Sequence, residues 1–522
     1  MLIDFRRAGL GPHLEADVCV IGGGAAGITI ANEISNHSVI VLESGGLEFD
    51  PQVQRLYKGD NPRGDFSLDT SRYRMLGGTT FAWGGWCVPL DAIDFQPRHW
   101  VPDSGWPITK QDLLSSYHRA QKVCELGRYR YGVADWPMLA TKALALDPAK
   151  LEHRLWQLSP PTRFGRAYRE ALSKAPNVKV LLNATATQIV TGENAAAVKE
   201  VRIAALDGTR ATVRARVYVI ACGGIETARL LLVSNTVEAK GLGNRHDLVG
   251  RYFMEHPHPD AGGVLVEGSV DKFRAYFDRG RDGEQVVVGF GPSPGAQERL
   301  QILNSSIAVH DALHGEPTDG WDSLMKLSRA AREFEWPENG GTHVFNVVRN
   351  LGSVIREEYF RATDGPIRGF SFTARTETAP RPSNRVILIH DRDALGLNRV
   401  RLDWAPGTLE RVTVEKTMML LAAEFGRLGV GRVKLNELLM ESTARWSENL
   451  GWYGHHMGTT RMSESPKSGV VDANCCVHGI ANLYIASSSV FPTCGFANPT
   501  LTILALALRL ADHIRTTALR TA

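Results

Sequence analysis

The 522-residue chain lacks the features that mark several classes of protein. Its seven cysteines include no CxxC pair, and none stands at metal-ligand spacing with a histidine, so we predict no metal site. No apolar run approaches the roughly 18 residues that cross a bilayer, and the N-terminus has no apolar segment of the kind found in signal peptides. We therefore predict no membrane partner and, by default, a cytoplasmic location.

A large excess of charge of either sign is also missing. The 59 basic and 56 acidic residues give a formal net charge of +3. No strong field would therefore attract nucleic acid, and we predict none as a partner. The chain is too long for one hydrophobic core, which predicts at least two domains.

What the chain does contain is a βαβ unit near its start. An apolar strand over 17–21 runs into a glycine turn, a helix over 28–34 follows, and a second strand over 38–42 ends at Glu43. In this arrangement the N-terminus of the helix can bind a pyrophosphate, and Glu43 can accept hydrogen bonds from the ribose hydroxyls. Since strand, turn, helix and acidic residue all agree, we predict dinucleotide binding.

The glycines of this turn have different predicted tasks. Gly22 permits the tight turn, Gly24 lets the backbone approach a pyrophosphate, and Gly27 lets the helix pack close to its strand. A second strand meets a glycine turn at Ala221, which predicts that the chain returns there to the nucleotide-binding sheet.

A segment rich in glycine and tryptophan follows the βαβ unit, over 74–86. Four glycines beside two tryptophans predict a loop that runs close against something flat. A flavin ring is one candidate, and a tryptophan-anchored loop packed on the core is the alternative.

The middle of the chain changes character. From about residue 262 to 439 the sequence shows short alternating strands, such as 285–290 and 369–375, with a long helix from Thr408. This pattern predicts an antiparallel sheet with helices on one face, inserted into the first domain.

Two separated segments near the C-terminus carry groups suited to catalysis. His455 and His456 lie on a glycine-flanked turn, and Asn498 stands just before a helix that begins at Pro499. Together they offer a base and a polar partner. The role of His456 is left open. His256 and His258 have no acidic or cysteine partner at metal spacing, so we predict structural roles for them.

Taken in order, these pieces resemble the glucose-methanol-choline (GMC) oxidoreductases, FAD enzymes that oxidise alcohols. The likeness covers nearly the whole chain, from the βαβ unit to the segments around His455 and Asn498. The ending Asn498-Pro499-Thr500-Leu501-Thr502 is most similar to pyranose oxidases and the related bacterial glycoside oxidases.

The resemblance implies a role for each matching residue. His455 is expected to be the catalytic base and Asn498 its partner on the substrate oxygen. The expected cofactor-binding residues are Gly22, Gly24, Ala26, Gly27, Glu43, Ala186 and Ala221 for the ADP half of FAD, with Gly78, Thr79, Trp83, Pro499 and Thr500 for the flavin. Fungal pyranose oxidases attach FAD covalently to a histidine at the position of Ala82, so FAD is expected to bind non-covalently here.

The expected fold is an α/β, Rossmann-like FAD-binding domain over 1–110, 165–257 and 447–522. The α+β substrate domain, built on an antiparallel sheet, is expected over 111–164 and 258–446. The expected reaction is oxidation of a ring secondary hydroxyl, such as C3, of a sugar or glycoside. The alternatives are a non-sugar alcohol and a hydroxynitrile-lyase-like activity. Oxygen or another acceptor would reoxidise the flavin, and the oligomeric state is not predicted.

Overall fold

The computed structural model describes residues 1–520 except 8, 65, 278–279, 282–283, 314–318, 333–339, 356–366 and 441–449. In chain order its strands are β1 Leu2–Asp4, β2 His13–Ile21, β3 Val39–Leu42, β4 Trp86–Cys87, β5 Leu151–Leu158, β6 Val178–Leu182, β7 Thr185–Thr191, β8 Val198–Ala204, β9 Arg210–Ile220, β10 Asp260–Val266, β11 Gly280–Arg281, β12 Glu284–Pro292, β13 Ser305–Leu313, β14 Gly369–Thr376, β15 Arg385–Arg392, β16 Asn398–Asp403, β17 Gly431–Leu435 and β18 Leu483–Ile485.

The α-helices, also in chain order, are α1 Ala25–Glu33, α2 Pro51–Gln54, α3 Lys110–Val123, α4 Pro137–Lys142, α5 Phe164–Ala167, α6 Arg169–Lys174, α7 Gly223–Val233, α8 Arg274–Phe277, α9 Pro294–Leu300, α10 Asp319–Arg332, α11 Gly340–Arg349, α12 Thr408–Leu428, α13 Glu437–Met440 and α14 Thr500–His513. Across the described residues, none of these helices is both long and apolar enough to cross a membrane.

The first sheet combines parallel and antiparallel pairing. Its order is β1-β6-β3-β2-β9-β8-β7, with β18 also paired to β9. Strands β1, β6, β3, β2, β9 and β18 run parallel, while β8 and β7 form an antiparallel extension. The end of β2, Val18 to Ile21, is fully buried, as expected for a parallel strand covered on both faces.

The turn from β2 into α1 depends on two glycines. Gly22 has a φ of +109°, a conformation that L side chains rarely adopt. A methyl group on Gly27 would overlap the carbonyl oxygen of Gly22, so a side chain there would force the helix away from the strand. The βαβ unit predicted from the sequence is therefore present, and its glycines permit the close packing.

The second sheet is antiparallel throughout. Its order is β17-β10-β14-β13-β12-β5-β4, with β11 paired to β12. Helix α12 covers one face, where Phe425 contacts the rings of Phe273, Phe290 and Phe372. The predicted fold class, a Rossmann-like domain with an inserted antiparallel-sheet domain, is confirmed.

The C-terminal helix α14 ties distant parts of the chain together. Thr502 Oγ1 lies 2.9 Å from the hydroxyl of Tyr117 on α3. Arg119 forms ion pairs with Glu33 on α1 and Asp512 on α14. These contacts attach both ends of α14 to α3, at Thr502 near its start and at Asp512 near its end.

The predicted domain boundaries remain a prediction, although two segments pack outside the domain that those boundaries give them. Helix α3 and the hairpin β15–β16 were expected in the substrate domain. Their side chains, including Leu113, Val386 and Leu402, lie instead in the hydrophobic core of the first sheet.

Candidate active site

One cavity of about 830 Å³ joins the two sheets. At one end it is lined by the glycine turn after β2, and at the other by the segments around His455 and Asn498. Among the residues predicted to bind cofactor, those on its wall are Gly22, Gly24, Ala26, Glu43, Gly78, Thr79, Trp83, Ala186, Ala221, Pro499 and Thr500. Gly27 is not on the wall, and it acts through the packing of α1.

The nucleotide end leaves space for a phosphate group. A side chain at Gly24 would point into open space, and this residue precedes the first turn of α1 on the cavity wall. The free N–H groups and the positive end of the helix dipole therefore face the cavity.

Glu43 lies at the end of β3, buried on the cavity wall. Its Oε1 accepts a hydrogen bond from the Gly45 N–H at 2.8 Å and its Oε2 accepts one from the Gly23 N–H at 2.9 Å. Burial raises the pKa of the Glu43 carboxyl. Each oxygen retains acceptor capacity for a ribose hydroxyl.

A buried group of arginines on the same wall was not predicted from the sequence. Arg72, Arg74 and Arg229 all contact Glu226, and Arg229 also pairs with Asp393 at 2.7 Å. Burial would raise the pKa of Glu226, yet the three guanidinium groups lower it to about 2. Three cations against two carboxylates leave positive charge beside the cavity, which suits a diphosphate.

The glycine-rich loop packs directly on the nucleotide turn. Gly77, with a φ of +95°, donates its N–H to the Gly23 carbonyl at 2.7 Å. Trp83 lines the cavity and its indole N–H donates to the Thr162 carbonyl at 2.9 Å. Trp83 therefore anchors the loop to the core, as the second interpretation of the sequence predicts. The loop also lines the cavity, which the interpretation as a flavin-facing loop requires.

At the other end of the cavity two histidines are joined. Nδ1 of His256 lies 2.9 Å from Nδ1 of His455, and Nε2 of His256 lies 2.9 Å from the carbonyl oxygen of Gly495. That oxygen can only accept, so Nε2 of His256 carries its proton and Nδ1 accepts from His455. Nε2 of His455 is then the basic nitrogen, on a ring that lines the cavity.

His455 remains neutral well below the pH at which a free imidazole takes up a proton. Burial lowers its pKa well below the usual value, and His256, Arg375 and His456 add to the effect. Burial likewise lowers the pKa of His256 to about 3. The pair is therefore held in the uncharged form that a general base requires.

Glu255 connects the strand segments that carry the two histidines. Its Oε1 accepts the backbone N–H of His256 at 3.0 Å and that of His455 at 2.9 Å. Burial raises the pKa of Glu255 to about 8. The His456 ring stacks on Phe66, and its Nε2 lies 3.7 Å from Oε2 of Glu255. His456 is thus packed between Phe66 and Glu255 on the cavity wall.

Asn498 meets a residue that was not predicted, Arg375 on β14. Nη1 of Arg375 donates to Oδ1 of Asn498, and its Nε donates to Nε2 of His258 at 3.2 Å. Because Oδ1 is occupied, the amide NH₂ of Asn498 is the group left for a substrate oxygen.

Within the described ranges, no group of three or more histidine, cysteine or acidic side chains is placed to hold a metal ion. All seven cysteines are free. The residues do fit a flavin dinucleotide, because the space at Gly24, the arginine cluster with its excess positive charge and the neutral ring of His455 lie along one continuous cavity.

The fold and this cavity define the class of protein, an FAD-dependent oxidoreductase. Two family models, both described as GMC oxidoreductase, match residues 165–258 and 380–507. The chain belongs to the GMC oxidoreductase family, whose members act on CH–OH groups as oxidases or dehydrogenases.

Individual relatives are distant. The chain is 26% identical to the 6'''-hydroxyparomomycin C oxidase of Streptomyces lividus over 95% of its length and 92% of that protein. It is 28% identical to the fructose dehydrogenase large subunit of Gluconobacter japonicus, over 58% of this chain and 47% of that one. A formate oxidase structure is similar in fold, with a TM-score of 0.54 and 14% identity, over 98% of this chain and 100% of that chain.

Sequence reasoning missed how His256 and Arg375 take part. His256 was expected to be structural, yet it hydrogen-bonds the candidate base. Arg375 lies in an alternating strand with no motif around it. Only the meeting of β14 with the loop before α14 brings it to Asn498, so no sequence signal could have revealed it.

Proposed function

We propose that this enzyme oxidises a ring secondary hydroxyl, such as that at C3, of a sugar or glycoside. His455 would be the base and Asn498 its polar partner. The observation that carries the proposal is the hydrogen bond from His455 to His256, which leaves Nε2 of His455 as an unprotonated nitrogen on the cavity wall.

In this proposal FAD would be held along the glycine turn after β2 and the loop over 77–86, where it would supply the hydride acceptor for the oxidation. Nε2 of His455 takes the hydroxyl proton, since its low pKa keeps it unprotonated. The Asn498 NH₂ donates to the same oxygen as negative charge develops there. His256 fixes the His455 ring through the hydrogen bond between their Nδ1 atoms.

The wall formed by the second sheet supports a sugar-like substrate. It presents the ring of Trp156 with the polar groups of Ser306, His310 and Thr373. Aromatic faces and hydrogen-bonding side chains suit a ring that has both apolar C–H and hydroxyl surfaces. The printed names of the Streptomyces lividus and Gluconobacter japonicus relatives, an aminoglycoside oxidase and a fructose dehydrogenase, agree with this choice.

We further propose that FAD is bound non-covalently by the cavity-lining residues predicted above. Residues 77–86 of the loop contain no histidine, cysteine or tyrosine, and Ala82 stands where fungal pyranose oxidases have their attachment histidine. Acid precipitation should therefore release the yellow cofactor into the supernatant. Flavin that stays with the precipitate would contradict this part.

The test is the visible spectrum of the purified holoenzyme, recorded anaerobically while sugars, aryl glycosides and simple alcohols are added in turn. We expect a sugar or glycoside to bleach the flavin band, and readmitted air then distinguishes an oxidase from a dehydrogenase. Bleaching only by a non-sugar alcohol would favour the activity named for another relative, a 2-methyl-1,2-propanediol dehydrogenase of Mycolicibacterium austroafricanum. No bleaching, with a hydroxynitrile cleaved instead, would favour a lyase.

A further inference from the structure

Arg375 places a positive charge in the wall of the catalytic cavity. It is on β14, the strand of the second sheet that also supplies Thr373 to that wall. Burial lowers the pKa of Arg375 to about 10, so the guanidinium is still charged at neutral pH. The charge is part of the site throughout the range in which the enzyme would work.

This charge has no counter-ion in the described part of the chain. The hydrogen bonds of Arg375 go to the neutral acceptors Nε2 of His258 and Oδ1 of Asn498. Glu255 is near enough to affect its pKa but does not pair with it, and the raised pKa of Glu255, about 8, keeps that carboxyl protonated at neutral pH. The other arginines of the cavity wall each form an ion pair with Glu226, although one positive charge of that cluster remains in excess.

An unpaired guanidinium is tolerable while water fills the cavity but costly once ligands displace that water. The rings of Trp86 and Trp156, whose centroids lie 5.8 Å from the guanidinium carbon, stabilise the charge in part, and a bound anion would supply the counter-charge. The diphosphate of the cofactor is at the other end, where the glycine turn and a separate arginine cluster receive it. At this end of the cavity lie the flavin, expected beside Pro499 and Thr500, and the substrate, whose hydroxyl would meet Asn498. The oxidised flavin ring is neutral, so of the two only the substrate can bring a fixed negative charge.

The remaining donors of Arg375 have a defined shape. Nε and one N–H of Nη1 are used, which leaves the second Nη1 hydrogen and both hydrogens of Nη2. Two parallel N–H groups on one edge of a guanidinium match the two oxygens of a carboxylate. Because Nη1 also touches Asn498, that carboxylate would be close to the oxidised carbon.

We propose that Arg375 is a specificity-determining residue and that the substrate is an acidic sugar or glycoside, with a carboxylate on the ring that carries the oxidised hydroxyl. This inference rests on the proposed function. It adds a substrate class to that function, and it adds Arg375 to the functional residues His455 and Asn498.

The experiment compares pairs of sugars that differ only at C6, which is a hydroxymethyl group in the neutral sugar and a carboxylate in the acid. Glucose with glucuronate, galactose with galacturonate, and mannose with mannuronate, each as the methyl glycoside, are mixed anaerobically with the wild-type holoenzyme and with Arg375→Gln and Arg375→Lys. Arg432→Gln, an exposed arginine on β17 of the same sheet, is the matched control. The rate of flavin reduction gives kcat/KM, and the shift of the flavin absorption band by each acid gives binding separately from turnover.

In at least one pair we expect the acid to exceed its neutral partner about 100-fold in kcat/KM, the range typical of a desolvated charge pair. Arg375→Gln should abolish this ratio, because the acid loses its counter-charge, whereas any loss that acts through Asn498 slows the acid and the neutral sugar alike. Arg375→Lys should retain part of the ratio, and Arg432→Gln all of it. A role limited to holding Asn498 in place would slow both members of a pair equally.

Three results would overturn the inference. The first is a neutral sugar that reduces the flavin as fast as its acid. The second is an acid-to-neutral ratio that survives in Arg375→Gln. The third is the absence, in every pair, of an Arg375-dependent shift of the flavin band by the acid. If no alcohol reduces the flavin but an acid still binds through Arg375, the proposed function fails and the anion site stands.

Discussion

At the scale of single residues, the site depends on the proton positions of two imidazoles. A carbonyl oxygen fixes the tautomer of His256, and His256 then fixes that of His455. This relay explains how a ring in a turn can present a basic nitrogen without a carboxylate partner. It also differs from the usual arrangement in which a carboxylate raises the pKa of a catalytic histidine.

Removing the base should separate catalysis from cofactor binding. We expect His455→Ala to retain FAD. The rate at which substrate reduces the flavin should fall about 10²- to 10⁴-fold, because a general base contributes about that much. Anaerobic stopped-flow absorbance measures the rate. His246→Ala, which changes an exposed histidine, is the control and should behave as wild type. Wild-type reduction by His455→Ala would remove His455 from its proposed role.

The low pKa of His455 predicts an unusual pH dependence. The base is active when unprotonated, and burial lowers its pKa well below 6.5, so the active form persists as the pH falls through 6.5. The rate of flavin reduction should therefore be constant from about pH 7 down to about pH 6, and be lost only at distinctly more acidic pH. Single-turnover rates in a series of buffers test this. A fall in the rate of flavin reduction centred at pH 6.5 would show that the base titrates like an exposed imidazole, which would contradict the lowered pKa of His455.

At the scale of elements, the glycine turn between β2 and α1 has two tasks that substitution can separate. Gly27 lets α1 pack on the Gly22 carbonyl, whereas Gly24 faces open space in the cavity. The first task concerns packing, and the second concerns room for a ligand.

We therefore expect Gly27→Ala to destabilise the fold, by about 1–3 kcal/mol as in other overpacked sites, and to lower FAD content as a consequence. Gly24→Ala should melt near the wild-type temperature without FAD and lose FAD affinity alone. Thermal melting by circular dichroism and the flavin-to-protein absorbance ratio measure the two effects. Equal loss of stability in both apoproteins would contradict this division.

At the scale of the whole molecule, one buried ion pair connects the N-terminal region to the sheet that forms the substrate side. Arg98 pairs through two bonds, of 2.6 and 2.8 Å, with Glu377, which directly follows β14. Their side chains are only 1% and 0% exposed. The pair lies just beyond the end of the strand that carries Arg375.

Arg98→Met should leave Glu377 as an unpaired buried carboxylate. We expect a loss of about 3–5 kcal/mol in stability, since breaking one side of a buried pair typically costs that much. Arg6→Met, which breaks the largely exposed pair with Asp4, should cost no more than about 1 kcal/mol. Urea denaturation followed by tryptophan fluorescence compares the two, and equal midpoints would show that the buried pair is unimportant.

How much the sequence determined depends on how far apart the interacting residues are. The βαβ turn was predictable because its parts lie within about 30 residues, and each glycine has a local steric reason. The same holds for Asn498 at the start of α14 and for the alternating strands of the second sheet. These local patterns predicted the dinucleotide-binding fold, and the family resemblance that they support predicted FAD and the candidate base.

The tertiary structure alone decided how that base is held and what surrounds it. His256 and His455 are 199 residues apart, and Arg375 and Asn498 are 123 apart. A periodic pattern reports which face of an element is buried but not which distant element meets it. The histidine relay and the unpaired guanidinium exist only because the two sheets close over one cavity, and burial there sets the pKa values that the sequence leaves at their ordinary values.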